Sequence, residues 1–286
     1  MKIKKVNQDN RVISAYFDIK AGDVVKVYAM SDIHFDSVKC RRDLLKTDLD
    51  FAKKQGRMII IAGDLFDAMQ ATGDRRASKE EIREEYNANN YLDLIVDDTY
   101  EFFKPYKDNL FLSGLGNHET AVMKYNNTNL VDRLCYMLRQ NGSKVISGAY
   151  GGWIRFMFQR KGVPQGSFNY YYHHGTGGSA PVTRGVIHTN RQAVDLPDAN
   201  LVHNGHNHQE YIVNVPRNRL NNKGIEYVDS QMHIRTPGYK SKSKTETHGY
   251  DIERHPDATP LGSISVDIEW IGEKPQARAS MLSRSV

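Results

Sequence analysis

Five short stretches of the chain bring Asp, Asn and His together at spacings that suit metal binding. They are Asp32-Ile33-His34, Gly63-Asp64-Leu65-Phe66-Asp67, Gly116-Asn117-His118-Glu119, His173-His174-Gly175 and Gly205-His206-Asn207-His208. Carboxylate, amide and neutral imidazole are all metal ligands. Mixed oxygen and nitrogen sets suit manganese, iron or zinc rather than calcium. The donors are numerous enough for two ions. A two-metal site needs one carboxylate to bridge ions roughly 3.5–4 Å apart, with further ligands on each side. Taken singly, each stretch is more often a turn or a strand cap than a ligand set. Gly-His-Asn-His is the most specific, because histidines at i and i+2 share one side of an extended segment. All five in one chain, each following a strand, are not a chance arrangement.

Those residues need elements that deliver them to one place. Val24 to Met30, Arg57 to Ala62, Asn109 to Leu112, Phe168 to Tyr172 and Asn200 to Val202 are short apolar or β-rich runs. They read as buried strands, and each ends just before one of the five stretches. In open α/β sheets, ligands sit beyond the carboxyl ends of strands. Arg41 to Gln55 has leucines at helical spacing and stops at Gly56; Thr128 to Gln140 stops at Asn141-Gly142. Ser78 and Glu81 form a capping box that predicts a helix running towards Phe103, with Tyr91, Leu94, Ile95, Asp98 and Phe102 on one stripe. Further strands are expected at Arg11 to Phe17, Trp153 to Phe158, Tyr211 to Val215, Ile225 to Val228, His233 to Arg235 and Ser263 to Trp270. Strand–helix alternation followed by strands predicts an α/β protein with mixed sheets.

The 286 residues are enough for one large core or two modest ones. No apolar run exceeds five residues, so no transmembrane helix is expected, and Met1 to Asn10 lacks the apolar segment of a secretory signal. Cys40 and Cys135 are far apart and in no CxxC pair, which argues against a disulfide framework or thiolate zinc site. A reducing, cytoplasmic setting without membrane association is expected. Net charge is +5, too small an excess to imply nucleic acid by itself. It is unevenly spread: residues 80–101 hold eight acids and one arginine, residues 217–244 seven basic residues and two acids.

The ordered set Asp32-x-His34, Gly63-Asp64-x-x-Asp67, Gly116-Asn117-His118-Glu119, His173/His174 and Gly205-His206-x-His208 resembles the calcineurin-like metallophosphoesterase superfamily. The resemblance implies two stacked mixed β-sheets flanked by helices, a metallophosphoesterase-type β-sandwich. It implies two divalent ions, manganese first, with iron or zinc as alternatives. Asp32, His34 and His208 would hold one ion; Asn117, His206 and the histidine at 173 or 174 would hold the other; Asp64 would bridge. His174 is favoured because a glycine follows it, and His173 stays open. His118 would be an unligated proton donor or phosphate contact, and the Asp67 carboxylate would orient it. The implied reaction is in-line attack of metal-activated hydroxide on a phosphate ester, with His118 protonating the leaving group.

The chain departs from the protein Ser/Thr phosphatase branch, because Ala68-Met69 follows Asp67 where that branch has Arg-Gly. Arg184 and Arg191 are the candidates for a replacement phosphate grip. The Gly-Asp-Leu-Phe-Asp wording is similar to the double-strand-break repair nuclease branch. Tyr170, Tyr171 and Tyr172 alternate sides on a strand, which favours packing over base stacking. One domain is expected over 1–271, with a helical insertion at 68–106 and a poorly ordered tail at 272–286. The expected substrate is a phosphodiester of nucleotide or nucleic-acid type, with Lys240, Lys242 and Lys244 near the rim. The alternatives are a phosphomonoesterase on nucleotides or phosphoproteins and a non-catalytic scaffold of the same fold. No specific protein partner is expected.

Overall fold

The computed structural model describes every residue except 1–2, 10, 21, 69–81, 179–182, 184, 242–259, 273 and 283–286. The chain forms β1 (Lys5–Asp9), β2 (Val12–Asp18), β3 (Val24–Met30), α1 (Arg42–Lys54) and β4 (Met58–Ile61). The insertion carries α2 (Tyr91–Phe103), and after it come β5 (Leu110–Ser113), α3 (Asn117–Asn126), α4 (Leu130–Gln140) and β6 (Ile146–Ser147). There follow β7 (Gly151–Arg160), β8 (Val163–His173), α5 (Ile187–Asp195), β9 (Leu201–Asn204), β10 (Tyr211–Leu220), β11 (Glu226–Arg235), β12 (Ile264–Ile271) and β13 (Lys274–Met281).

Two mixed sheets result. One has the order β1-β2-β7-β8-β9-β11-β10 and the other β13-β12-β3-β4-β5-β6. Side-chain alternation gives the second sheet two different faces. Val25, Val27, Ala29 and Ile60 join Phe156, Tyr170, Leu201 and Ile234 in a core between the sheets. Tyr28, Met30, Ile59 and Ile61 pack instead against Leu45 and Leu49 of α1, Ile95 of α2 and Leu134 of α4. Burying both faces explains why β4 reads as an unbroken apolar run rather than an alternating one.

Within the first sheet, β8 runs parallel to β9; within the second, β3, β4 and β5 are parallel neighbours. Their carboxyl ends carry the five polar stretches. No helix among the described residues is long and apolar enough to cross a membrane. Cys40 and Cys135 are free thiols, both buried.

Several elements differ from the sequence expectation. Ser78 lies outside the described residues, and the described helix of the insertion begins only at Tyr91, after a 3₁₀ turn at Glu84–Tyr86. Its buried positions are Tyr91, Ile95, Val96, Thr99 and Phe103; Leu94 and Phe102 pack half-buried against the same core, while Asp98 turns to Arg42. The expected strands at 225–228 and 233–235 are parts of one ten-residue strand, β11, whose antiparallel pairing with β10 extends beyond the apolar residues. Helices α3 and α5 were not foreseen, since both are short and bury few apolar side chains: α3 buries Glu119 and Val122, α5 only Thr189. The expected poorly ordered tail contains β13, paired antiparallel with β12 from Ile264↔Met281 to Ile271↔Lys274. Composition hid this strand because its inward positions are small: Ala277 and Ala279 pack on the inter-sheet core.

Ending the chain after Gly272 should therefore remove an interacting strand rather than a loose tail. A loss of about 2 kcal/mol, seen as a drop of roughly 4–8 °C in the thermal unfolding midpoint, is expected. An unchanged midpoint would show that β13 contributes nothing.

Candidate metal centre

The strand ends place the polar residues in unusual backbone. Asp32, His34, Asp64, His206 and His208 have φ of 52°, 50°, 50°, 79° and 55°. This left-handed region is disfavoured for residues with a Cβ, and such strain persists only where surrounding contacts enforce it. Here side-chain carboxylates enforce it by accepting main-chain N–H groups. Asp32 accepts the N–H of His206 at 2.9 and 3.0 Å, which joins the loop after β3 to the loop after β9. Asp64 Oδ1 accepts the N–H of His118 at 3.1 Å. Glu119 accepts from Gly116, Phe66 and Asp64 at 2.7, 2.9 and 3.2 Å, which joins the loops after β4 and β5. Gly116 and Gly205 permit these approaches, because a Cβ on either would overlap the Asp64 or Asp32 carboxylate.

Three groups of potential ligand atoms result, each within 4.8 Å of one another: Asp32–His34–His208, Asp64–His174–His206 and His34–Asp64–His118. Asp64 belongs to two of them. Its Oδ2 lies 3.1 Å from His174 Nε2 and 3.9 Å from both His34 Nε2 and His118 Nε2. Asn117 Oδ1 lies 3.0 Å from His174 Nε2 and 2.9 Å from His206 Nδ1. His34 Nε2 is buried with no hydrogen-bond partner among the described residues. An orphaned imidazole nitrogen facing carboxylates is what a cation would satisfy, so the donor set fits the divalent ions that the sequence implies.

Neighbouring groups orient these ligands. His174 Nδ1 pairs with the Ala62 carbonyl at 2.9 Å, which turns Nε2 into the cluster. His34 Nδ1 lies 2.7 Å from Asp67 Oδ1. The sequence expectation gave the Asp67 carboxylate to His118; the structure gives it to His34 and to Lys240, whose Nζ lies 3.1 Å and 3.2 Å from the two carboxylate oxygens. His118 Nδ1 meets the Asp67 main-chain carbonyl instead, at 2.6 Å. The carboxylate is 3.7 Å from that nitrogen. The cause is local: the buried Asp36 carboxylate takes the N–H groups of Asp67 and Ala68 at 2.6 and 2.9 Å, and this turns the Asp67 carbonyl to His118.

The charges are strongly coupled. Burial opposes ionisation of Asp64, but the adjacent histidines His118 and His174 hold it well below the usual carboxylate range. Burial also opposes charging of His174, yet Asp64 pulls it up to about 10. His34 is likewise raised, against burial, by Asp67 and Asp64. His206 is lowered by burial and by the charge of His174. Glu119 is pushed up to about 7 by burial and by Asp64.

Asp32, His34, Asp64, Asn117, His118, His174, His206 and His208 are all brought together. His173 is not: it faces Tyr171 in a stack, and its Nδ1 accepts the N–H of Gly175 at 3.0 Å. Of the expected phosphate-gripping arginines, Arg184 lies outside the described residues, and Arg191 is exposed on α5. Lys242 and Lys244 also lie outside the described residues. Sequence reasoning missed Asp36, whose i+2 spacing from His34 was the available signal. It quoted Glu119 without a role, and it set Lys240 near the rim without foreseeing its pairing with Asp67, 173 positions away.

The calcineurin-like phosphoesterase family matches residues 25–228, a span that contains all five polar stretches. The chain belongs to that family. Among solved structures, a conserved protein from Streptococcus pneumoniae TIGR4, described as a predicted phosphoesterase, is 11% identical with a TM-score of 0.34 over 91% of this chain and 100% of its own. Vacuolar protein sorting 29 from Cryptosporidium parvum is 12% identical with a TM-score of 0.39 over 91% of this chain and 99% of its own. Neither bears on what this chain does. No curated protein matches it.

A cation entering this cluster must displace the proton that Asp64 holds on His174, whose titration near pH 10 makes it largely protonated at neutral pH. Metal uptake should therefore release at least one proton, and metal affinity should rise with pH through the neutral range. Calorimetric manganese titrations in two buffers of different ionisation heat measure this. Equal apparent heats in both buffers would contradict it.

Proposed function

We propose that the chain is a phosphoesterase working with two divalent ions, manganese first, and that its substrates are phosphodiesters of nucleotide or nucleic-acid type. One observation supports the reading: Asp64 belongs to the Asp64–His174–His206 group, and its Oδ2 also lies 3.9 Å from His34 of the Asp32–His34–His208 group. Asp32, His34 and His208 would hold one, Asn117, His174 and His206 the other, with Asp64 shared. Such ions, when bound, offset the negative charge of a phosphate ester and acidify water for attack.

The chain's own residues supply the rest. His118 donates Nδ1–H to the Asp67 carbonyl, so Nε2 is the atom left to hand a proton to a departing oxygen. The Asp64 Oδ2 atom lies 3.9 Å from that Nε2. Lys240 offsets the Asp67 charge at the same edge. For the substrate, the overall basic charge gives support. The described part of the basic stretch 217–244 gives less than the sequence implied, because three of its cations are paired or buried. Arg217 pairs with Asp229 at 2.8 Å, Arg235 is buried, and Lys240 is engaged with Asp67.

Hydrolysis of bis-(p-nitrophenyl) phosphate against p-nitrophenyl phosphate, with manganese added, tests the class. Faster diester turnover is expected. Monoester-only activity would give the phosphomonoesterase, and no activity on either by metal-loaded protein the scaffold. Asp64→Asn should lose most bound metal and most turnover; full manganese-dependent turnover would remove Asp64 from its shared position. His118→Asn should lower turnover by roughly 10²–10⁴ with metal content near wild type, the range for a lost general acid. Loss of metal in that variant would make His118 a ligand.

A further inference from the structure

Arg235 is among the largest fully buried side chains of the protein, 1% exposed. It stands at the carboxyl end of β11, opposite Asn204 of β9 on one side and Tyr211 of β10 on the other. Its neighbours Met232 and Ile234 occupy or approach the inter-sheet core, so alternation sends Arg235 to the opposite face of the sheet. A guanidinium remains protonated in a protein and carries five donors but no acceptor. Among the described residues, neither Nε nor Nη1 has a hydrogen-bond partner. The Tyr211 ring, 5.3 Å from Cζ, offers the cation a π face but no acceptor for those N–H groups. A buried cation left in this condition is unfavourable unless something negative completes it.

A second orphan lies beside it. Asn207, between the two histidines of Gly-His-Asn-His, has a buried Nδ2 without a partner among the described residues. Its Oδ1 accepts the N–H of Gln209 at 3.3 Å, which fixes the amide with its nitrogen turned the other way. The two donors converge: a methyl group on Gly185 would lie 2.7 Å from Asn207 Nδ2 and 2.9 Å from Arg235 Nη1. Among the described residues, no acidic group answers either donor. Two chain neighbours of Asn207, His206 and His208, belong to the two Asp/His groups already described.

We propose that Arg235 and Asn207 form an anion subsite beside the metal centre that takes an oxygen of a phosphate group of the substrate. The assignment rests on the phosphoesterase reading above. Phosphate oxygens accept several charge-assisted hydrogen bonds at once, which matches a cluster made of donors only.

The test uses the metal-loaded full chain with inorganic phosphate as the probe. Arg235→Met keeps the length of the side chain and removes its charge and donors. It should weaken phosphate binding by roughly 10–100-fold, the loss expected for hydrogen bonds to a charged group, and raise the KM for the diester by a similar factor. Metal content should match wild type. Phosphate should raise the melting temperature of wild type more than that of the variant. Without phosphate, Arg235→Met should melt no lower than wild type, since an apolar side chain replaces an uncompensated buried charge. Asn207→Ala, a milder change, should weaken phosphate binding in the same direction. Wild-type phosphate affinity in both variants, at normal metal content, overturns the subsite. So does an Arg235→Met protein that fails to fold while Asn207→Ala binds phosphate as wild type does, since Arg235 is then structural. If wild type binds phosphate in an Arg235-dependent way but hydrolyses neither ester, the phosphoesterase reading falls and the subsite stands.

Discussion

Asp32, Asp36, Asp64, Asp67 and Glu119 are all buried at the carboxyl ends of three adjacent strands. Five carboxylates in so small a volume repel one another, and burial removes the water that would otherwise screen them. Every other feature of the region answers that repulsion. Main-chain N–H groups point at Asp32, Asp36, Asp64 and Glu119. Lys240 and the raised His34 oppose Asp67, while the raised His174 opposes Asp64. Glu119, pushed up to about 7, carries less than a full charge at neutral pH. The protein thus assembles a negative centre and offsets it only in part. Such a centre has an affinity for cations that follows from its charge, before any ligand geometry is considered.

The same hydrogen bonds set the geometry. A carboxylate that accepts N–H groups from a second loop fixes that loop's backbone, including φ values that no side chain favours. Strain at Asp32, His34, Asp64, His206 and His208 is distributed over loops that hold one another: β3 to β9 through Asp32, and β4 to β5 through Glu119. Two loops reach from one sheet to the other, so the site depends on how the sheets stack. That stacking is fixed by the core between them, where Phe156 and Tyr170 meet Val27 and Ile60. Long-range packing therefore positions ligands that are local in sequence only in pairs.

This hierarchy explains what was legible in the residues alone. The strands β3, β4 and β9 could be read because parallel neighbours bury both faces and leave short apolar runs that end abruptly at polar stretches. The ligand-type residues could be read because each pair sits within one loop. His174 over His173 was a choice by pattern; His173 remains on β8, while His174 lies just beyond the strand end with Nε2 3.1 Å from Asp64. The partners could not be read. Lys240 on Asp67, Thr236 Oγ1 at 2.5 Å from Ser31 Oγ, and the Asp67 carbonyl on His118 depend on chain reversals between distant segments. Composition misjudged β13 for a related reason, since alanines count little towards hydrophobicity yet fit against a neighbouring strand.

Net charge misleads in the same way as composition. A chain with 39 basic and 34 acidic residues has five cations in excess, but where they act depends on pairing. Arg57 pairs with Asp267 at 2.6 Å, Arg42 with Asp98 at 2.9 Å, Arg217 with Asp229 at 2.8 Å and Lys240 with Asp67 at 3.1 Å. Each of these cations is neutralised by its own chain, and the field they project beyond a Debye length is small. Arg235 is the opposite case: a charge kept from water, with no carboxylate among the described residues answering its Nε and Nη1, close to the loop that carries His206 and His208. A cation of that kind adds nothing to long-range attraction. It acts only on a group already at the site, so selectivity for an anion here would be expressed in contact, not in steering.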